Sequence, residues 1–274
     1  MIAGIFHSGS GLGNQLFRYV ATRVLALDNG YDFSMVAPEN FKGRDFMNLD
    51  MGKDDNYFGG KTMLPFHYTT KMPEGRVIPH AGYNFWYKTW EEKTPYYNPE
   101  FNFIEDNTII DGEFQDERYF GHHLDKIDGW LGVARNQVED DICVIGFRGG
   151  EFYTVPELGL PKSYYDEGIA RMRKINPNMK FEVHTDDPAL AKQFFPDFEV
   201  IHDIGYNWRR VRFARYAIIA NSSFYILPRL LKHSGDRWGY DGDEPITLAP
   251  RYWDRYNIKK WERPYNYYKC FTYL

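Results

Sequence analysis

Three short stretches of this sequence carry residues whose types and spacing suit the handling of an anion. The first is Arg148-Gly149-Gly150-Glu151, which breaks the apolar run Ile142–Phe147 inside Asp141–Phe152 (DICVIGFRGGEF). Glycine allows the backbone to turn or to approach a ligand closely, and arginine offers a planar fork that matches phosphate oxygens. On these four residues alone, an ordinary turn with a surface Arg–Glu pair is the better reading, and the rest of the chain shifts the balance. The second stretch is Thr185-Asp186-Asp187-Pro188. A carboxylate there can accept hydrogen bonds from a purine or a ribose, and Asp187 followed by Pro188 also reads as the cap and first position of a helix. The third is Asn221-Ser222-Ser223, where a helix start aims free N–H groups and a hydroxyl at one point.

The elements around these stretches explain how they come together. Ile142–Phe147 has strand length and β-branched character, and Lys180–His184, Phe198–His202, Ala217–Ala220 and Ile246–Ala249 read as further strands. Helices are expected over Pro161–Ile175, with Tyr165, Ile169, Met172 and Ile175 facing inward, over Ala189–Phe195, over Asn207–Tyr216 and from Ser222 onward. Strands alternating with helices predict an α/β domain with a parallel sheet. Such a sheet collects its strand ends on one rim, and ligands of open α/β sheets bind there. Arg148, Glu151, Asp186, Asp187, Asn221, Ser222 and Ser223 would then share a rim, with Glu157 a second acid nearby.

The N-terminal half opens in a related way. Met1–His7 reads as a strand, Ser8–Gln15 (SGSGLGNQ) as a glycine-rich turn, and Leu16–Leu27 as a helix with Leu16, Val20, Val24 and Leu27 on one face. Gly9, Gly11 and Gly13 are spaced G-x-G-x-G and so depart from the dinucleotide fingerprint, yet the backbone N–H groups of such a helix start still suit an anion. Thr108–Phe114 is a further expected strand. From Tyr31 to about Pro99 short polar segments alternate with aromatics such as Tyr57, Phe66, Trp86 and Tyr97, which suggests loops, short helices and an acceptor surface. The division expected is residues 1–139 and 140–274.

Composition excludes several classes. A net charge of −5 gives no basic field to hold a nucleic acid. Two cysteines, Cys143 and Cys270, make no disulfide framework. The absence of a membrane-length apolar run or a leader-like N-terminus predicts a soluble, cytoplasmic chain without an integral membrane segment. No metal site is expected: His122 and His123 are neighbours that should point apart, and no third ligand has suitable spacing.

The same blocks resemble a known family. Gly11-Leu12-Gly13-Asn14-Gln15-Leu16-Phe17 resembles the GLGNQ-hydrophobic-F signature of the α-1,2-fucosyltransferases (glycosyltransferase family 11). Gly112–Phe120 (GEFQDERYF) is similar to its G-Y-F-Q-S-x-x-Y-F segment and Thr185-Asp186-Asp187 to its S-D-D. Ile219–Phe224 (IANSSF) is similar to its I-A-N-S-x-F, and Ala249–Trp253 (APRYW) to its A-P-x-x-W. The blocks occur in the family's order. Its H-x-R-R-G-D is here Gly146-Phe147-Arg148-Gly149-Gly150-Glu151, which keeps the first arginine, replaces Asp by Glu and lacks the histidine.

The resemblance implies a GT-B-like α/β fold of two Rossmann-like domains with a cleft, the C-terminal one binding the nucleotide. It implies an inverting, metal-independent transfer of fucose from GDP-fucose to a hydroxyl of an oligosaccharide acceptor, with no other cofactor. Arg148 would sit on the donor β-phosphate, with Glu151 the first choice for general base. Gly11, Gly13, Asn14, Gln15, Asp186, Asp187, Asn221, Ser222 and Ser223 would bind the donor. Two alternatives stand beside this. Asp241-Gly242-Asp243 has the D-x-D form of a metal-dependent transferase, and the altered arginine block suits a glycan-binding or inactive protein on a transferase fold.

Overall fold

The computed structural model describes residues 1–53, 76–79, 97, 99–134, 138–154, 158–234, 244–250 and 268–274. It is an α/β structure with two parallel sheets, one in each of two compact units. The first unit holds Met1–Arg44 and Asn48–His123, the second Leu124–Lys259, Tyr267–Leu274 and Asp45–Met47.

In the first unit, β1 (Ile2–Ile5) leads through the glycine turn into α1 (Leu12–Asp28) and on to β2 (Phe33–Val36). With β3 (Arg76–Pro79) and β4 (Thr108–Asp111) these strands form a parallel sheet of order β2-β1-β4-β3. Every residue of β1 and β4 is buried, as expected of strands covered on both faces. The helix starts earlier than its apolar spacing suggested. Gly11 is its cap, so Gly13, Asn14 and Gln15 belong to its first turns. Leu16, Val20 and Val24 are buried, but Leu27 is exposed, because the inward stripe has rotated past it in the last turn.

In the second unit, α2 (Leu124–Leu131) precedes β5 (Ile142–Phe147), α3 (Lys162–Ile175), β6 (Lys180–Thr185) and α4 (Pro188–Phe194). Then follow β7 (Glu199–Ile201), α5 (Ile204–Phe213), β8 (Tyr216–Ile219), α6 (Ser223–Ser234), β9 (Ile246–Ala249) and β10 (Thr272–Tyr273). The sheet order is β10-β9-β8-β5-β6-β7, all parallel. β5 lies at its centre, with Val144 beside Ala217 on one flank and Glu182 on the other. Ile175, expected to face inward, is exposed at the C-terminal end of α3.

The break between units falls at His123 and Leu124, not between 139 and 140. Ile127 and Leu131 of α2 are buried within the second unit, and Asp128 pairs with Arg212 of α5 at 2.8 Å. Those contacts, invisible in the sequence, draw 124–139 to the second unit. Among the described residues no helix is long and apolar enough to cross a membrane.

One polar cluster ties α5 to the sheet. Arg210 donates to both oxygens of Glu182, at 2.6 and 2.7 Å, and His184 contacts Glu182 at 3.3 Å and Asn207 at 2.8 Å. Burial pushes the Glu182 carboxyl up, but the His184 and Arg210 hydrogen bonds and charges outweigh it and hold it below the usual range. A depressed carboxylate stabilises the fold above the unfolded group's pKa, about 4.3, and that stability disappears as pH falls through the lower folded value. Glu182→Gln is therefore expected to lower stability at pH 7 by about 1–3 kcal/mol, since it strips a charge-assisted partner from buried Arg210. It should also flatten the loss of stability below pH 4. Urea midpoints at pH 7, 5 and 3 check both effects.

Candidate functional site

The carboxyl ends of β8, β5 and β6 are neighbours in the second unit's sheet, and they bring the three chemical stretches together. Arg148 follows β5, Asp186 and Asp187 follow β6, and Asn221 and Ser222 follow β8. The backbone of Ala220 donates to the Gly146 carbonyl at 2.9 Å, which carries the pairing of β5 and β8 up to this rim.

The loop after β5 is held by the loop after β6. Gly149 N–H donates to Asp186 Oδ1 at 2.8 Å and Gly150 N–H to Asp187 Oδ2 at 3.1 Å. The Arg148 guanidinium makes an ion pair with Asp186 and a second with Glu151, whose Oε1 lies 3.0 Å away, and it lies over the Phe152 ring. Asp187 also caps α4, accepting from Leu190 N–H at 3.0 Å. The cap read from Asp187-Pro188 is thus present, and both oxygens of that carboxylate already have backbone donors. Glu151 is 74% exposed and bonded to the arginine it follows.

The two glycines have separate reasons. A Cβ on Gly149 would collide with Cβ of Asp187, so the close approach seen here is to protein. Gly150 has φ 53°, a left-handed conformation that side-chain-bearing residues resist. Upstream, Gly146 stands where the H-x-R-R-G-D block that this sequence resembles has its histidine. A Cβ there would lie 2.8–3.0 Å from the ring of Tyr225 on α6. Buried Tyr225 lies within hydrogen-bond reach of the Phe147 and His184 carbonyls, at 2.9 and 3.0 Å, and so ties α6 to the ends of β5 and β6. Burial raises its hydroxyl pKa, which keeps the phenol neutral. Sequence reasoning missed Tyr225, because only the fold reveals that its ring fills the space a histidine would need.

At the end of β8, Ser222 is buried and its Oγ accepts from Phe224 N–H at 3.4 Å at the start of α6. Ser223 is the first residue of that helix. Asn221 donates weakly to the Leu158 carbonyl at 3.5 Å, while its Oδ1 is buried without a partner among the described residues. An unsatisfied buried oxygen is costly, and a ligand donor reaching it would relieve that cost.

The first unit shows its own convergence. Asn14 donates to Glu113 at 3.4 Å and accepts from Gln115 at 3.1 Å, and Arg18 donates to the Gly112 carbonyl at 2.8 Å. The GLGNQ and GEFQ stretches therefore meet beyond the ends of β1 and β4. Gln15 is fully occupied structurally: it donates to the Asn40 carbonyl and accepts from Lys42 N–H. Gly11 caps α1, with open space where a Cβ would go, and Gly13 is buried in the helix. A pair that sequence reading missed is His7 and Asp111, joined at 2.9 Å, with Arg18 at 3.6 Å from the same carboxylate oxygen. Both residues close strands of one parallel sheet, and that shared rim was the available signal.

His122 and His123 correct an expectation. They do not point apart but converge on Asp28, each imidazole Nε2 lying 2.7 Å from one carboxylate oxygen. A 3₁₀ turn, unlike a strand, leaves consecutive side chains on neighbouring faces, and the ring centroids are 4.4 Å apart. Glu157, Asp241-Gly242-Asp243, Arg251-Tyr252-Trp253 and most of the aromatics before Pro99 lie outside the described residues.

No protein-family model matches this sequence, and no curated protein does. Among solved structures, the chain is similar to the E. coli heptosyltransferase WaaC with ADP, at TM-score 0.44 and 10% identity, over 91% of this chain and 86% of that one. It is similar to POFUT1 in complex with GDP-fucose at TM-score 0.45 and 10% identity, over 90% and 96%. A glycosyl transferase family 9 protein from Veillonella parvula matches at TM-score 0.43 and 11% identity, over 91% and 79%.

The packing at Gly149 gives a test of the loop. Gly149→Ala is expected to destabilise the protein by about 1–3 kcal/mol, since Asp187 is anchored by its own cap and cannot move aside. Thermal melting of the variant checks this, and a change within 0.3 kcal/mol would contradict it.

Proposed function

We propose that this protein is a glycosyltransferase that binds a nucleotide sugar on the rim of its second unit, with GDP-fucose as donor and a glycan hydroxyl as acceptor. The observation that carries the reading is the placement of Arg148, buried Asn221 Oδ1 and the N-terminus of α6 on adjacent strand ends of one parallel sheet. The sequence blocks resembling the α-1,2-fucosyltransferases supply the choice of donor. Arg148 meets the β-phosphate, joined by the Ser223 N–H at the start of α6 and the Ser222 hydroxyl. Departure of the nucleoside diphosphate builds charge on that phosphate, and donors fixed in advance stabilise it without reorganisation. Asn221 and the Asp186 carboxylate, on opposite sides of Arg148, read the base and ribose.

Arg148 is held by Glu151 and Asp186. Phosphate binding then becomes an exchange of ion-pair partners in which Glu151 gives up the guanidinium. Freed from Arg148, the exposed carboxylate turns to the face of the sugar opposite the departing phosphate, where it takes the proton of the acceptor hydroxyl as that oxygen attacks with inversion. A second reading rests on the same ion pairs: if they never open, Arg148 is neutralised and the fold binds glycans without transferring.

The test is GDP release from GDP-fucose across a panel of glycans, with and without chelator. The reading expects release stimulated by one acceptor class and insensitive to chelator. Loss on chelation with recovery on Mg²⁺ or Mn²⁺ would favour a metal-dependent transferase, and glycan binding without release would favour the second reading. Arg148→Ala should weaken GDP binding by roughly 1.5–3 kcal/mol in calorimetry. Arg148→Lys should recover little of it, because a point charge does not reproduce the fork. Unchanged GDP affinity in Arg148→Ala would remove the phosphate assignment. Asp186→Asn is expected to alter the ratio of GDP to ADP affinity, whereas Asp187→Asn, a replacement that caps equally well, should leave it nearly unchanged.

A further inference from the structure

The convergence of His122 and His123 on Asp28 lies away from the rim described above. α1 runs back from the carboxyl ends of the first unit's strands, so its last residue, Asp28, stands at the opposite, amino-terminal edge of that sheet. Here two imidazoles from one 3₁₀ turn meet a single carboxylate 94 and 95 residues earlier in the chain. The three ligand atoms all lie within 4.8 Å of one another, and the three side chains can be reached by solvent.

Local electrostatics favour a cation at this point. The last turn of α1 contains no basic residue, so no lysine or arginine in that turn offsets the negative end of the dipole and the Asp28 charge. Asn29 caps the end by donating to the Leu25 carbonyl, which satisfies an acceptor but adds no charge. In the present arrangement each imidazole Nε2 donates to the carboxylate, since an ionised carboxylate only accepts. The same three atoms become ligands when those hydrogens move to the other ring nitrogen.

We propose that Asp28, His122 and His123 form a binding site for one borderline divalent transition-metal ion, zinc first, that staples the end of α1 to the turn Gly121–His123. Two imidazoles and a carboxylate are the donor set of such ions, and hard cations such as Mg²⁺ prefer all-oxygen sites. Tetrahedral zinc with bonds near 2.0–2.1 Å places its ligand atoms about 3.3 Å apart, so the 2.7 Å contact to whichever Asp28 oxygen binds the metal must open by about 0.6 Å, and the imidazole now on the other oxygen must shift toward the metal. Solvent-accessible side chains at a helix end and in a short turn allow that movement. A water completes the shell. The role is structural, because the site stands at the amino-terminal edge of the first unit's sheet, opposite the strand ends that carry His7 and Asp111, and it is independent of the proposed transfer reaction.

The test is calorimetric titration of chelator-treated full-length protein with Zn²⁺, Ni²⁺ and Mg²⁺. A Cys270→Ser background removes an exposed thiol that would bind zinc on its own. Expected are one zinc per chain with micromolar or tighter affinity, weaker or comparable nickel and no magnesium. Asp28→Asn, His122→Gln and His123→Gln should each weaken zinc binding by at least about tenfold. Zinc should raise the melting temperature of the parent and leave that of the His122→Gln, His123→Gln double variant unchanged. No zinc binding, or zinc binding that survives all three substitutions, would overturn the proposal. Because the readouts are metal affinity and melting, their failure is separate from any failure of GDP binding or transfer.

Discussion

The second unit depends on one constraint, the hold of the β6 loop on the β5 loop. Asp186 and Asp187 accept the amide hydrogens of Gly149 and Gly150, Asp186 also pairs with Arg148, and Asp187 starts α4. A guanidinium on an unsupported glycine loop would sample many directions. Here two carboxylates on an adjacent strand end fix the backbone that carries it, and that fixity is what an anion site requires. The arrangement also explains the glycines. Their freedom is used to let the loop pack onto Asp187 and to turn at Gly150, so the diglycine serves the clamp before it serves any ligand.

Clamping has an electrostatic consequence. Glu151 and Asp186 both pair with one arginine, so a phosphate must displace a carboxylate to reach the cation. Such an exchange costs less than desolvating a bare arginine, because the guanidinium is never left unpaired. It also makes affinity depend on how readily Glu151 lets go. Glu151 is the better leaving partner, since it lies at the solvent-exposed end, while Asp186 is further tied to the Gly149 amide.

Much of this architecture was legible in the chain. The strand–helix alternation after Asp141 marked every strand of the second sheet except β10, because buried parallel strands read as short β-branched runs and their helices carry a 3.6-residue stripe. Ile246–Ala249 and the Asp187 cap were found at their true positions. Helix ends were less legible: Leu27 and Ile175 continue the apolar spacing but lie where the helix has turned past the core. What the sequence hid are pairings between distant residues. His122 and His123 gave no sign of Asp28, His7 gave none of Asp111, and Gly146 looked like a loss until Tyr225 was seen to fill its place. Each of these depends on which elements the fold makes neighbours, and spacing along the chain carries no such information.

The account stands most directly on where a bound diphosphate lies. A crystal structure of the protein with GDP is the measurement that decides it. The account predicts the β-phosphate within hydrogen-bond distance of the Arg148 guanidinium and the start of α6, with Glu151 swung away from Arg148 and Asn221 Oδ1 accepting from the nucleotide. A nucleotide bound elsewhere, or one bound at the rim with the Arg148–Glu151 pair still closed, would contradict it.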